Sequence, residues 1–128
     1  MGQDAPRKVV FVVDDDASVR MLVVKALQVK GYDVIEAEDG LKASEVLGNL
    51  KRLPDLMICD VMMPTIDGFS LARMVKGRPE LKGIPIIFLT AKTQPKDLLQ
   101  GMSLGARHYI QKPFQLQDLL DKVAKTVR

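Results

Sequence analysis

Short apolar runs alternate with longer amphipathic runs five times along this chain, and this alternation constrains the fold more than any other feature. The short runs are rich in Val, Ile and Leu, which predicts buried strands, and the longer runs repeat apolar residues at helical spacing. Such alternation is typical of an α/β fold with a parallel sheet. We expect strands near 8–13, 33–37, 55–60, 85–89 and 107–110.

Each predicted strand is followed by a predicted helix, at about 17–30, 40–50, 67–77, 95–104 and 115–127. Ser18 is a candidate N-cap of the first helix, and Gly31 is a candidate stop signal. Gly101 interrupts the fourth helix, where glycine costs about 1 kcal/mol relative to alanine. We therefore expect the fourth helix to be the most mobile.

The length and composition indicate one globular domain over residues 1–128, with residues 1–7 as a flexible N-terminal extension. The single cysteine, Cys59, lies within an apolar run and is expected to be buried in a protein of the reducing cytoplasm. No apolar run reaches the about 18 residues of a membrane span. The formal charge of +3 comes from scattered basic residues, so we expect no nucleic-acid binding.

Residues suited to phosphoryl chemistry follow four of the predicted strands. Asp14 and Asp15 follow the first strand, Asp60 the third, Thr90 the fourth and Lys112 the fifth. Because the carboxyl ends of parallel strands share one edge, these side chains are expected to meet there. Adjacent carboxylates repel each other unless a cation lies among them, and Mg²⁺ is the natural candidate. Helix capping is the alternative, and it accounts for Asp16 alone.

With a cation beside it, Asp60 becomes a candidate carboxylate nucleophile that accepts a phosphoryl group. Thr90 and Lys112 would then offer a hydroxyl and an ammonium to the phosphoryl oxygens. Taken singly, Asp60 is better interpreted as a cap or turn residue before Met63-Pro64. Gly68 allows the loop after Asp60 to pack closely, and Pro113 permits a cis peptide bond after Lys112.

Four segments together carry a resemblance: Val12-Val13-Asp14-Asp15-Asp16, residues 60–68 (DVMMPTIDG), Leu89-Thr90-Ala91 and Lys112-Pro113-Phe114. In this order and strand context, the chain resembles the receiver domain of two-component response regulators, and its length is similar to that of stand-alone CheY-like regulators. The resemblance implies a flavodoxin-like, doubly wound sheet of five parallel strands in order 2-1-3-4-5. It also implies that helices one and five cover one face and helices two, three and four the other.

The resemblance implies a phosphorylation site and a Mg²⁺ site. Asp60 would be the phosphorylated aspartate and a metal ligand. Asp15 would bind Mg²⁺ directly, Asp14 mainly through water, and Met62 through its backbone carbonyl.

It further implies a switch. Thr90 and Lys112 would bind the phosphoryl group, and Tyr109 matches the aromatic residue that turns inward when the threonine moves. Met62 and Lys92 occupy positions that modulate the lifetime of the phosphorylated state, and we expect the apolar Met62 to exclude attacking water.

The implied function is that of a phosphorylated switch rather than an enzyme with turnover, because the domain catalyses only its own phosphorylation and dephosphorylation. The phosphoryl donor would be a sensor histidine kinase or a histidine phosphotransfer protein, in chemotaxis or a phosphorelay. A downstream target would bind helix four, strand five and helix five. Lys96, Arg107, Lys122 and Lys125 make that surface basic and suited to an acidic partner, with solvation as the alternative.

Two other functions stay open from the sequence. One is a receiver-like adaptor that is never phosphorylated. The other is a Mg²⁺-dependent phosphohydrolase that uses Asp60, although that class places a second acid where this chain has Met62. The only histidine, His108, is expected to be a strand-edge residue. The chain is expected to be a monomer or a phosphorylation-dependent dimer.

Overall fold

A computed structural model describes residues 6–128. The strands and helices alternate as follows: β1 (Val9–Val13), α1 (Ala17–Val29), β2 (Asp33–Ala37), α2 (Gly40–Leu47), β3 (Leu56–Cys59), α3 (Gly68–Gly77), β4 (Ile86–Thr90), α4 (Pro95–Ser103), β5 (Ala106–Gln111) and α5 (Leu116–Val127). The five predicted strands are confirmed, and each predicted strand boundary lies within one residue of the observed one.

The strands form one parallel sheet in the order β2-β1-β3-β4-β5, which confirms the predicted fold. Val13 pairs with Cys59, so β1 and β3 end side by side. Thr90 pairs with Gln111, so β4 and β5 also end together. This register brings the residues that follow these four strands to one edge of the sheet.

Two apolar cores cover the two faces of the sheet. Alternate residues of the central strands point to opposite faces: Phe11, Met57 and Phe88 enter one core, whereas their neighbours enter the other. The first core also takes side chains from α2 and α3, and the second takes side chains from α1 and α5. The implied distribution of these four helices is therefore confirmed, and α4 packs beside β5.

Two local expectations were wrong. The second helix ends at Leu47 rather than near 50, because Gly48 is its C-cap and the chain then turns away from the helix. The first helix is capped by Asp16 rather than Ser18. The Asp16 carboxylate accepts hydrogen bonds from the amides of Ser18 and Val19, at 2.9 and 3.1 Å, and so satisfies two free donors of the first turn.

Residues 1–5 of the expected N-terminal extension lie outside the described residues. The chain can be followed from Pro6, and the guanidinium of Arg7 lies 3.9 Å from the carboxylate of Asp33 at the start of β2. Between residues 6 and 128, none of the helices is long and apolar enough to cross a lipid bilayer.

Candidate functional site

An acidic cluster follows β1. The sheet continues one step beyond the strand, since the Asp14 amide donates to the carbonyl of Ala37 at 3.3 Å. The Asp14 side chain is buried, and its Oδ1 accepts a hydrogen bond from the Asp16 amide at 2.9 Å. Asp15 lies between them with an exposed side chain. Three consecutive acids thus serve different roles, and Asp16 is the one that caps α1.

Asp60 follows β3 and stands beside this cluster. Its amide donates to the carbonyl of Val13 at 3.0 Å, and its side chain is only 7% exposed. The Met62 amide donates to Asp60 Oδ1 at 3.0 Å, which fixes the plane of the carboxylate. The loop returns over Asp60 as expected: a Cβ on Gly68 would lie 2.2 Å from the Asp60 carbonyl oxygen, so only glycine fits.

Lys112 joins the acids from the far side of the sheet. Its amide donates to the carbonyl of Thr90 at 2.9 Å, and the peptide bond to Pro113 is cis, as the sequence suggested. The ammonium lies 2.8 Å from Asp14 Oδ2 and 3.0 Å from Asp60 Oδ2. The Lys112 ammonium therefore bridges two buried carboxylates that lie far apart in the sequence.

Burial and the hydrogen bonds within the site shift the pKa values of Asp14 and Lys112. Burial raises the pKa of Asp14 above its ordinary value, because the hydrogen bonds from Lys112 and Asp16 offset the desolvation only in part. Burial alone would lower the pKa of Lys112, but its hydrogen bonds to Asp14 and Asp60 outweigh that effect and raise it. The ammonium is therefore held in its charged form, ready to pair with an anion.

The acidic cluster fits a divalent cation. Asp14, Asp15 and Asp60 each offer a carboxylate oxygen, and these oxygens lie within 4.8 Å of one another. Hard oxygen ligands, one of them on an exposed side chain that leaves room for water, suit Mg²⁺. The same three acids were predicted as metal ligands from the sequence. The fourth predicted ligand, the Met62 carbonyl, stays a prediction.

Thr90 is fully buried at the end of β4, and its hydroxyl accepts a hydrogen bond from the Lys92 amide at 3.2 Å. Tyr109 of β5 lies over the same loop, where its hydroxyl donates to the carbonyl of Lys92. The two predicted switch residues are thus linked through one loop residue. Lys92 connects the strand that ends at the site with the strand that lies beside α4.

Asp97 of α4 belongs to this region, and the sequence analysis missed it. Its side chain is only 5% exposed, accepts a hydrogen bond from the Gln94 amide at 3.0 Å, and lies 3.8 Å from the Lys92 ammonium. Gln94 and Asp97 form a capping box, a spacing that could have been read from the sequence. Asp97 therefore ties the start of α4 to the loop after Thr90.

Burial, with the charges of Asp97 and Asp60, raises the pKa of Tyr109 to about 12. The ring is wedged between β4 and α4: its centroid lies 5.8 Å from that of Phe88, and a Cβ on Gly101 would lie 2.8 Å from Tyr109 Cδ2. Gly101 is thus not merely a weak point of the helix. It makes the space that the Tyr109 ring occupies.

Four other residues named from the sequence differ in exposure. Met62 is 58% exposed beside Asp60, and Lys92 is also exposed. Cys59 is buried, and burial raises the pKa of its thiol well above the ordinary value. His108 is a half-buried residue of β5, the edge strand of the sheet.

The surface formed by α4, β5 and α5 carries both basic and apolar side chains. Lys96, Arg107 and Lys125 are exposed, whereas Lys122 pairs with Asp118 one turn earlier in α5. The exposed apolar residues of α4 are Leu98, Leu99 and Met102. The sequence analysis predicted the charges of this surface but not its apolar part.

A family model described as the response regulator receiver domain matches residues 10–124. The chain therefore belongs to the response regulator receiver domain family. Solved structures agree with this assignment. The chemotaxis response regulator CheY4 of Vibrio cholerae superposes with a TM-score of 0.86 at 34% identity, covering 94% of this chain and 99% of that one. A response regulator receiver protein from Pseudomonas putida gives 0.87 at 32% identity, covering 94% and 98%.

Curated relatives include the phosphate regulon transcriptional regulatory protein PhoB of Pseudomonas aeruginosa, 38% identical over 94% of this chain and 52% of that protein. The transcriptional regulatory protein RprY of Bacteroides fragilis is 41% identical over 93% of this chain and 49% of that protein. The chain thus spans about half the length of the curated relatives that it matches.

Proposed function

We propose that the chain is a phosphorylated switch in which Asp60 accepts a phosphoryl group from a sensor histidine kinase or a histidine phosphotransfer protein. One observation carries the proposal: the Lys112 ammonium lies 2.8 Å from Asp14 and 3.0 Å from Asp60, within a cluster whose third acid is Asp15. A buried carboxylate beside a fixed ammonium and two further acids suits phosphoryl acceptance better than a purely structural role.

In the proposed reaction, an oxygen of the Asp60 carboxylate attacks the phosphorus of a phosphohistidine. The P–O bond to Asp60 forms as the P–N bond breaks, and the electron pair of that bond returns to the imidazole nitrogen. The products are an acyl phosphate on Asp60 and a free histidine on the donor. Hydrolysis reverses the modification, because water attacks phosphorus, releases inorganic phosphate and restores the carboxylate.

Each residue of the site has a role in this proposal. Asp14, Asp15, Asp60 and the Met62 carbonyl would hold Mg²⁺, which neutralises charge on the transferring phosphoryl oxygens when it is bound. Lys112 would exchange one of its two carboxylate partners for a phosphoryl oxygen, and the Thr90 hydroxyl would donate to another phosphoryl oxygen. The Met62 amide, now on Asp60 Oδ1, orients the nucleophile.

The signal would leave the site through Thr90. If its hydroxyl turns toward the phosphoryl group, the hydrogen bond from the Lys92 amide at 3.2 Å breaks. The Lys92 carbonyl, which holds Tyr109, then moves as well. This route ends at the surface of α4, β5 and α5, where a downstream target or a second copy of the chain would bind.

A basic surface with apolar side chains suits an acidic, partly apolar protein segment, and we propose no nucleic-acid partner. We place the exchange in the cytoplasm, where a free buried thiol such as Cys59 persists.

The proposal is tested by incubating the chain with MgCl₂ and acetyl phosphate and following the intact mass. We expect one covalent phosphoryl group on the parent and on Asp39→Asn, a control in which asparagine replaces an aspartate N-cap of α2 without loss of capping. We expect none on Asp60→Asn. An unmodified parent would support the adaptor that is never phosphorylated, and sustained release of phosphate from a generic phosphomonoester would support the phosphohydrolase.

The lifetime of the acyl phosphate is a separate part of the proposal. Met62 is 58% exposed two residues after Asp60, and the exposed Lys92 lies two residues after Thr90. In this proposal, attacking water passes between these two side chains. We expect Met62→Asn to hydrolyse faster than the parent, because an amide can hydrogen-bond the water that methionine excludes. Met21→Asn, at an exposed position of α1, is the control. Equal decay rates for Met62→Asn and the parent would remove Met62 from this role.

A further inference from the structure

Arg20, on the first turn of α1, contacts β2 and the residue that follows β1. Its Nη1 donates to the carbonyl oxygen of Asp14 at 2.6 Å, and its Nε donates to Glu36 Oε1 of β2 at 3.1 Å. The Arg20 side chain is only 17% exposed, whereas that of Glu36 is 53% exposed. One guanidinium thus joins the end of β1, the adjacent strand β2 and the start of α1.

The Asp14 carbonyl is part of the peptide group that links the two acids of the cluster. On its other side, the Asp14 amide donates to the carbonyl of Ala37 at 3.3 Å. With Arg20 on the carbonyl, both backbone polar groups of Asp14 are held, one by β2 and one by α1. Rotation of the Asp14–Asp15 peptide group would redirect the exposed Asp15 carboxylate, so the bond to Arg20 fixes where that carboxylate points.

The charge of Arg20 has an ion-pair partner outside the acidic cluster. Its ion-pair partner is Glu36, which lies on the neighbouring strand, and its contact with Asp14 is to a backbone oxygen. Glu36 therefore offsets the guanidinium charge, and the carboxylates of Asp14, Asp15 and Asp60 keep their negative potential for a cation.

We propose that Arg20 is a positioning residue for the divalent cation: it sets the Asp14–Asp15 peptide group so that the cluster binds Mg²⁺, and Glu36 anchors it there. This inference rests on the Mg²⁺ site of the proposed function. Residues that orient metal ligands from outside the ligand set typically change metal affinity about tenfold or more when they are replaced.

The experiment is a titration of the full chain with MgCl₂ alone, followed by the backbone amide NMR signals of residues 14–18 and 60–62. For Arg20→Met, which keeps the aliphatic stem and loses the donors, we expect Mg²⁺ affinity to fall about tenfold. Simple charge repulsion predicts the opposite sign, because removing a nearby positive charge should strengthen cation binding. The direction of the change therefore separates positioning from charge.

Arg52→Met is the matched control, since Arg52 pairs with Asp55 at 3.3 Å at the opposite edge of the sheet. It removes the same charge and should leave Mg²⁺ affinity unchanged. Arg20→Lys keeps the charge but lacks the planar guanidinium that donates to the Asp14 carbonyl and to Glu36 at once. The variant should therefore bind Mg²⁺ more weakly than the parent. That variant decides the question if Arg20→Met does not fold.

Equal or tighter Mg²⁺ binding by a folded Arg20→Met or Arg20→Lys variant would overturn the inference. So would a lower melting temperature without Mg²⁺ combined with unchanged affinity, which would mark Arg20 as purely structural. Failure of the parent itself to bind Mg²⁺ would instead overturn the metal site of the proposed function, and the inference with it. The two failures are thus distinguished by the parent titration.

Discussion

The hydroxyl of Tyr109 donates a hydrogen bond to the backbone carbonyl of Lys92. The amide of the same residue donates to the Thr90 hydroxyl at 3.2 Å, so both backbone polar groups of Lys92 are held by the two residues that the family resemblance identifies as the switch. The loop after β4 is therefore fastened at one end to the site and at the other to β5. A change at either residue is expected to reach the other through Lys92.

Removing the hydroxyl group of Tyr109 should loosen this loop. In Tyr109→Phe, the Lys92 carbonyl loses its donor while the ring keeps its contact with Phe88. A hydrogen bond of this kind is worth about 1 kcal/mol, which corresponds to about fivefold faster local opening. Amide hydrogen exchange at residues 91–94 measures the effect. Tyr32→Phe is the control, and equal protection in both variants and the parent would show that the hydrogen bond does not hold the loop.

The Tyr109 phenol should titrate well above an ordinary tyrosine. Burial and the charges of Asp97 and Asp60 raise its pKa from 10.0 to about 12. The chain has two tyrosines, so Tyr32→Phe leaves Tyr109 as the only tyrosine signal. The ultraviolet absorbance of tyrosinate should then rise with a midpoint near 12. A midpoint near 10.0 would mean that Tyr109 is solvated rather than wedged under α4.

The same shift makes stability depend on pH. Because the folded pKa is raised, the folded state holds the proton of Tyr109 in a range where the unfolded chain has lost it. The contribution of Tyr109 to the free energy of unfolding is complete below pH 10.0 and is lost as the pH rises toward 12. Urea unfolding across this range should show a steeper loss in the parent than in Tyr109→Phe.

Gly101 should resist replacement by alanine, although alanine is the better helix former. In an α-helix interior, this change ordinarily stabilises by about 1 kcal/mol. Here the new Cβ would lie 2.8 Å from Tyr109 Cδ2 and 3.3 Å from Phe88 Cδ2, so the ring must move. We expect Gly101→Ala to lose that stabilisation and to show the rapid loop exchange of Tyr109→Phe.

The matched control is Gly77→Ala at the end of α3, where a Cβ would meet nothing within 4 Å. That variant should gain about 0.5–1 kcal/mol in urea unfolding. In a Tyr109→Ala background, Gly101→Ala should raise the free energy of unfolding relative to Tyr109→Ala alone, because the obstructing ring is then gone. If Gly101→Ala alone were as stabilising as Gly77→Ala, the position of the Tyr109 ring would not depend on Gly101.

The fold could be predicted from the sequence because five short runs alternate with amphipathic helices, and the runs that form β1, β3 and β4 are apolar enough to be buried throughout. Errors arose where neighbouring residues offered equivalent local signals. Asp16 and Ser18 are both good N-caps, and only the direction of the chain after β1 decides for Asp16. Leu50 fits the periodicity of the second helix, yet Gly48 ends it first.

The acids, Thr90 and Lys112 could be predicted because each follows a strand, and the topology alone brings strand ends together. The contacts of Arg20 and Gly101 could not, because they depend on which way a helix faces, whereas Asp97 could have been recognised as the acid of a capping box. Arg20 reaches Asp14 and Glu36 only because α1 packs over both strands. Gly101 was identified as a helix weakness, and its contact with Tyr109 appears only when α4 is packed beside β5.

The most direct test of the account is whether a phosphoryl mimic at Asp60 is felt at Tyr109. Beryllofluoride with MgCl₂ would be added to the parent and to Asp60→Asn, and backbone amide NMR signals would be compared. The account predicts that shifts in the parent extend from residues 60–62 through residues 90–94 to α4 and Tyr109, and that Asp60→Asn shows none of them. Shifts confined to residues 14–16 and 60–62, or equal shifts in Asp60→Asn, would contradict it.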